Sequence, residues 1–238
     1  MILLKSSGPV VSSRLLPQTS GPKLSLLSLP TQIMRSSMEQ QSPSAHMKAL
    51  IAQARLFTLP NSLSLSNEHV QYLLEADQAK RLLHGEELQA LCSESQADQE
   101  DILNFQRLMP SLVEHAKSTL HGQFPQLFTI GGSLHTPDRS KACWRDLWHF
   151  LRIASYGAAI GEAGFCDQQG YAATMELYRL LDVPVDAMAS ALLDMASTYR
   201  AQLQPSAISA TQQLLLLGLA GIHSALEESH HLSWSTTG

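Results

Sequence analysis

Charge is scarce in this chain of 238 residues: 16% are Asp, Glu, Lys or Arg, with 16 basic residues against 21 acidic ones. A nucleic-acid surface needs clustered Lys and Arg, so this mildly acidic balance argues for no nucleic-acid partner. Cysteine is scarce too. Cys92, Cys143 and Cys166 make an odd set without a C-x-x-C spacing. That speaks against a disulfide framework or a structural zinc site and fits a reducing compartment. The histidines show no H-x-x-x-H or H-E-x-x-H spacing, which removes the usual metal motifs. No Ser/His/Asp or Cys/His grouping stands out, so the reading is not an enzyme. Long apolar runs are missing as well. Ala201–Leu226 carries no charge, but its continuous apolar part, Leu214–Ile222, falls short of the ~18–20 residues a membrane span needs. What the chain does have is apolar content, 44% of residues, enough for one domain with a sizeable core.

The first 60 residues differ from the rest. They are rich in Ser, Leu and Pro, and no acid precedes Glu39. We read residues 1–60 as a low-complexity extension. It is open to reading as an organelle transit peptide or as sequence upstream of the true start, with Met34, Met38 and Met47 as candidate starts. A helical domain follows over residues 64–228, with a polar tail at 229–238. "SNEHVQYLLEADQAKRLL" starts on a cap-like Ser66 or Asn67, and "GEELQALCSES" follows Gly85. Asp98–Phe124 predicts one or two helices, with Pro110 near the first turn of the later one. A Gly- and Pro-punctuated loop, "FPQLFTIGGSLHTPD", leads to helices over Arg139–Gly161, Asp167–Leu181, Val185–Gln202 and Ser206–Glu228. β-type alternation is absent, so the expected fold is all-α around one core.

One decapeptide, "CWRDLWHFLR" at Cys143–Arg152, puts a thiol, a guanidinium and a carboxylate ahead of an apolar run. Asp146 follows Cys143 by three residues, about 300° round a helix, so both share a face with Leu147 and Phe150. A thiolate adds to a vinyl group, and a nearby carboxylate accepts several ring N–H donors at once. Arg145, at about 200°, reaches the pair only by its length. Plainer readings stay open. Cys143 would serve as a small buried hydrophobe, Asp146 as compensation for the helix dipole, and Arg145 with Arg152 as a solvated or partner-facing stripe.

Three collinear stretches carry a family resemblance. "GGSLHTPDRSKACWRDLWHFLRIASYG" resembles the phycobiliprotein segment, above all that of the allophycocyanin branch, that reads G-G-N-A-Y, then C-x-R-D and L-R-x-x-(T/S)-Y. "ELYRLLDVPVDAMASALLDM" (Glu176–Met195) is similar to the family's E-x-Y-x-x-L-G-x-P stretch. "EADQAKRLLHGEELQAL" (Glu75–Leu91) resembles its A-D-x-x-x-R-Y-L-x-x-x-E-L opening. The likeness runs over Ser66–Ile222.

The resemblance implies a globin-like helical domain preceded by an N-terminal helical pair. It implies a linear tetrapyrrole, a bilin with phycocyanobilin the expected one, held covalently by a thioether to Cys143 and loaded by a bilin lyase. Asp146 matches the carboxylate on the inner pyrrole nitrogens; Arg145 and Arg139 match the partners of the propionates. Asp77 matches an aspartate that pairs across an α/β-type heterodimer with an arginine at the position of Arg152, which implies another phycobiliprotein subunit, ring assembly and phycobilisome linker proteins. The implied role is light harvesting in a phycobilisome on the thylakoid surface, in a cyanobacterial cytoplasm or plastid stroma. A pigment-free adaptor of the same fold is the alternative. Departures from the family pattern are Ser133 for the asparagine after the two glycines, Leu134 for a tyrosine, Leu82 for the tyrosine after Arg81, and Trp148 with His149 after "RDL".

Overall fold

In the computed structural model, residues 45–59, 65–163 and 168–234 are described, with side chains omitted at 168 and 229–234. Cys166 and residues 1–44 therefore lie outside the description. The elements are α1 (Ala45–Gln53), α2 (Asn67–Ala79), α3 (Gly85–Ser95), α4 (Gln99–Gln123), a short 3-10 helix (Pro125–Phe128), α5 (Pro137–Ala159), α6 (Gln168–Leu180), α7 (Val185–Gln202) and α8 (Ala210–Trp234). Among the described residues there is no strand, so the all-α expectation holds.

The centre of the molecule is α5. Every residue from His149 to Ala159 is buried, which means that half of the helix is enclosed on all sides. Its composition explains why. Ala154, Ser155, Gly157, Ala158 and Ala159 are small enough to let α4 and α8 pack closely on it. α7 closes the bundle against α4 and α8. Leu215, Leu219, Ile222 and Leu226 are the buried stripe of α8, spaced as a core-facing helix requires. The uncharged run therefore presents one buried stripe to this bundle, with Leu217 half exposed on the other side, and no described helix is long and apolar enough to cross a membrane.

The structure resolves α4 as one helix with Pro110 inside it. An interior proline costs about 3 kcal/mol. Seven buried side chains of α4, from Ile102 to Leu120, stabilise by about 1.5–3 kcal/mol each when large and apolar, so packing wins. Two boundaries also differ from the sequence reading. Residues 45–59, assigned there to the extension, hold α1 and bury Leu50, Leu56 and Phe57. The backbone of α8 continues through Trp234, past the expected start of the tail.

α2 and α3 form the N-terminal pair. Ser66 caps α2 by accepting from the His69 amide, and Arg81 grips Glu87 through two bonds of 2.6 Å. The pair is tied to α5 from inside. Arg152, 1% exposed, donates to Asp77 Oδ1 at 2.8 Å, to the Tyr156 hydroxyl at 2.8 Å and to His149 Nδ1 at 3.1 Å. Tyr156 in turn donates to the Arg81 carbonyl. Arg152 is therefore not on a solvated stripe; within the single chain it meets Asp77, the residue whose family counterpart pairs with an arginine of a partner subunit.

Candidate functional site

α5 begins earlier than the apolar pattern suggests. Thr136 caps it by accepting from the Arg139 amide, and Pro137 opens the first turn. Cys143 thus sits in the second turn rather than at the head. The loop before it turns on Gly131, at φ +90°, a conformation that favours glycine. Gly132 is packed so tightly that a Cβ would run into the Gln126 and Leu127 carbonyls.

Cys143 and Asp146 share the buried face of α5, as their spacing requires. Together with Ser133, Leu134, Arg139, Ala142, Leu181, Val183 and Pro184 they line a cavity of about 80 Å³. One wall is the loop before α5; the other is the turn between α6 and α7. The carboxylate is 2% exposed. Its Oδ2 accepts from the Tyr178 hydroxyl at 3.1 Å, while Oδ1 has no hydrogen-bond partner. Burial pushes the Asp146 carboxyl up to about 7, against the opposing pull of Arg145 and Tyr178. A half-satisfied buried acid is costly unless a donor arrives to meet it. Oδ1 is therefore a built acceptor, in the same cavity as the thiol.

The other expected site residues take different positions. Arg145 does reach round the helix, with Nε 3.7 Å from Asp146 Oδ1 and a side chain 45% exposed. Arg139 is 42% exposed but already donates to the Leu181 and Asp182 carbonyls at 2.8 and 2.7 Å and to Ser133 O. It clamps the two cavity walls together. Cys143 differs from the accessible thiolate its chemistry requires: it is 4% exposed, and burial, then the nearby Asp146 charge, pushes the thiol up to about 12.

Two contributors escaped the sequence reading. Tyr178 lies in the E-x-Y stretch, but only its place opposite α5 reveals that it holds Asp146. His149 stands beside Arg152, and burial, then the Arg152 charge, brings it down to about 3, so it stays neutral and accepts. Cys92 is buried and pushed up to about 11 by burial, with no role evident here. Among the described residues no group of His, Cys, Asp and Glu is placed to hold a metal.

Comparison with known proteins adds to this geometry. The family model described as "Phycobilisome protein" matches residues 71–216. An allophycocyanin alpha subunit from Picosynechococcus sp. is 29% identical over 84 residues, 35% of this chain and 52% of the relative. The allophycocyanin subunit beta-18 of Nostoc sp. is 35% identical over 75 residues, 32% and 44% of the two chains. The R-phycoerythrin alpha chain of Aglaothamnion neglectum is 30% identical over 80 residues, 34% and 49%. The chain spans about half the length of the curated relatives it matches. Since the family match covers more than half of the sequence and the helices follow the expected globin-like order, the chain belongs to the phycobilisome protein family, as a divergent member similar to the allophycocyanins.

Proposed function

We propose that this protein carries a linear tetrapyrrole on Cys143 and harvests light as a subunit of a phycobilisome. The observation that carries the reading is Asp146 Oδ1, a buried acceptor with no hydrogen bond and only a 3.7 Å ion-pair contact to Arg145, sharing one cavity with a cysteine. Such a pigment, when bound, supplies visible absorption and passes excitation to neighbouring pigments.

The residues suit that group. Cys143 would hold it through a thioether, its sulfur bonding one vinyl carbon and its proton passing to the other, with no net oxidation. Asp146 Oδ1 would accept from ring N–H donors, while Tyr178 keeps Oδ2 occupied and fixes the plane of the carboxylate. Meeting those donors removes the burial penalty on the ionised acid, so Asp146 ionises fully when its donors are in place. Arg145, exposed and lightly engaged, is the better propionate partner; Arg139 would first have to leave carbonyls of the cavity wall.

Loading needs help. A thiol at about 12 is scarcely ionised at neutral pH, and a cavity of about 80 Å³ compares with the ~300–1,000 Å³ of typical ligand sites. The loop around Ser133 and the Leu181–Pro184 turn must part first, which is a task for a lyase. Assembly with a further phycobiliprotein subunit and with linkers, at the thylakoid surface, completes the reading. For Asp77 to bridge to a partner's arginine, as the family pattern implies, it would exchange its contact with Arg152 within the chain.

Co-expression with bilin synthesis and a lyase tests this. We expect a band that fluoresces with zinc on a denaturing gel and goes dark in Cys143→Ala. A dark wild-type band with a competent lyase would leave only a pigment-free scaffold role.

A further inference from the structure

We propose that residues 45–59, which precede the region shared with the family (71–216), brace α6 and thereby position Tyr178 against Asp146; the link to the pigment rests on the function proposed above. α6 packs chiefly on α1 and only slightly on α8. Three kinds of contact fasten it there. Leu50 of α1 is buried, as are Ala173 and Leu177 of α6, yet none of the three belongs to the main core cluster. The Arg55 amide donates to the Gly170 carbonyl at 3.2 Å, and His46 lies 3.9 Å from Glu176. The segment then runs inward. Leu56 and Phe57 join the main core, where the Phe57 ring meets Tyr156 edge-on at 5.4 Å.

What α6 carries explains why its placement matters. Tyr178 is its contribution to Asp146, and Leu181, Val183 and Pro184, just past its end, form one cavity wall. A small second cavity, lined by Leu56, Phe57, Arg152, Leu177 and Tyr178 among others, lies directly between the brace and the tyrosine. α6 otherwise meets the main core mainly through Met175 and Tyr178, so it shifts when its main helical neighbour is removed, and the hydroxyl on Asp146 Oδ2 shifts with it. Residues 45–59 are then positioning residues for a site they do not touch.

The test uses the full chain without pigment. Hydrogen exchange is compared among wild type, Leu50→Asp and the conservative Leu50→Met. We expect amides of α6 to exchange about tenfold faster in Leu50→Asp, with α4 and α7 within about twofold of wild type and Leu50→Met unchanged. Leu50→Ala decides the case in which Leu50→Asp does not fold. Faster exchange confined to residues 45–59, or spread evenly over every helix, overturns the proposal. The second readout is the fall in stability between pH 5 and 8 that Asp146 causes. It should extend to higher pH in Leu50→Ala, which adds no titrating group and takes the Tyr178 hydroxyl off Asp146, and stay as in wild type in Leu50→Met; an unmoved window with a loosened α6 overturns the link to the site. Neither readout involves pigment, so failure of wild type to load would strike the proposed function and leave this one standing.

Discussion

At the scale of single residues, Asp146 sets the pH response of the pigment-free protein. Its carboxyl titrates near 3.8 when unfolded and about 7 when folded. The folded state therefore holds the extra proton between those values, and stability falls as pH rises through that window, opposite to an ordinary ion-paired aspartate. At 1.36 kcal/mol per pKa unit the loss reaches about 4 kcal/mol. Asp146→Asn should abolish the slope and leave the pigment-free chain more stable than wild type at pH 8, as urea unfolding at pH 5 and 8 would show. The same change should weaken emission of the loaded protein and shift its absorption to the blue, since one acceptor becomes a donor. Tyr178→Phe should raise the Asp146 titration further by removing the hydroxyl that donates to Oδ2. Arg152 behaves differently. Truncating it to Ala leaves buried His149 without its donor, breaks the Asp77 ion pair and takes one of two partners from the Tyr156 hydroxyl, so we expect a loss of about 3 kcal/mol by thermal unfolding. Asp77→Asn should cost less, since Asp77 is the more exposed partner. Spacing alone put Cys143 with Asp146, because helical geometry is local. It gave no notice of Tyr178 or His149, because their roles depend on which helices meet.

At the scale of elements, the helices that could be read were those whose periodic stripe faces one core. α3 and α7 have the bounds their sequences suggest, and α8 shows its stripe plainly. α1 was missed because it is short, lies in a Ser- and Pro-rich neighbourhood and buries one residue, Leu50, outside the main cluster. Pro110 left the count in α4 open, since local chemistry opposed what packing then decided. The turn before α5 is more demanding than its "GG" suggests. Gly132→Ala would push a methyl into two backbone carbonyls, and we expect a lower melting temperature with the Ser133–Arg139 wall displaced, detectable as faster alkylation of Cys143.

At the scale of the whole molecule, the departures from the family pattern fall in two places, with Ser133 and Leu134 on the cavity beside Cys143. Leu82, His149 and the brace at 45–59 all lie around the α2–α5 junction, and there the Asp77–Arg152 bridge turns inward. A subunit that satisfies this pair alone should not need a partner to cover it. We expect the isolated chain to run as a monomer in light scattering at micromolar concentration, and obligate aggregation in its pigment-free form would contradict that. The sealed thiol has one more consequence. Once the bundle has closed, Cys143 is beyond the reach of small electrophiles, so without a lyase to part the walls delivery of cargo is a race against maturation. A freshly released polypeptide would accept iodoacetamide readily, then lose that susceptibility on the timescale of its own collapse. Chains that miss their delivery would persist as well-formed, colourless and chemically mute.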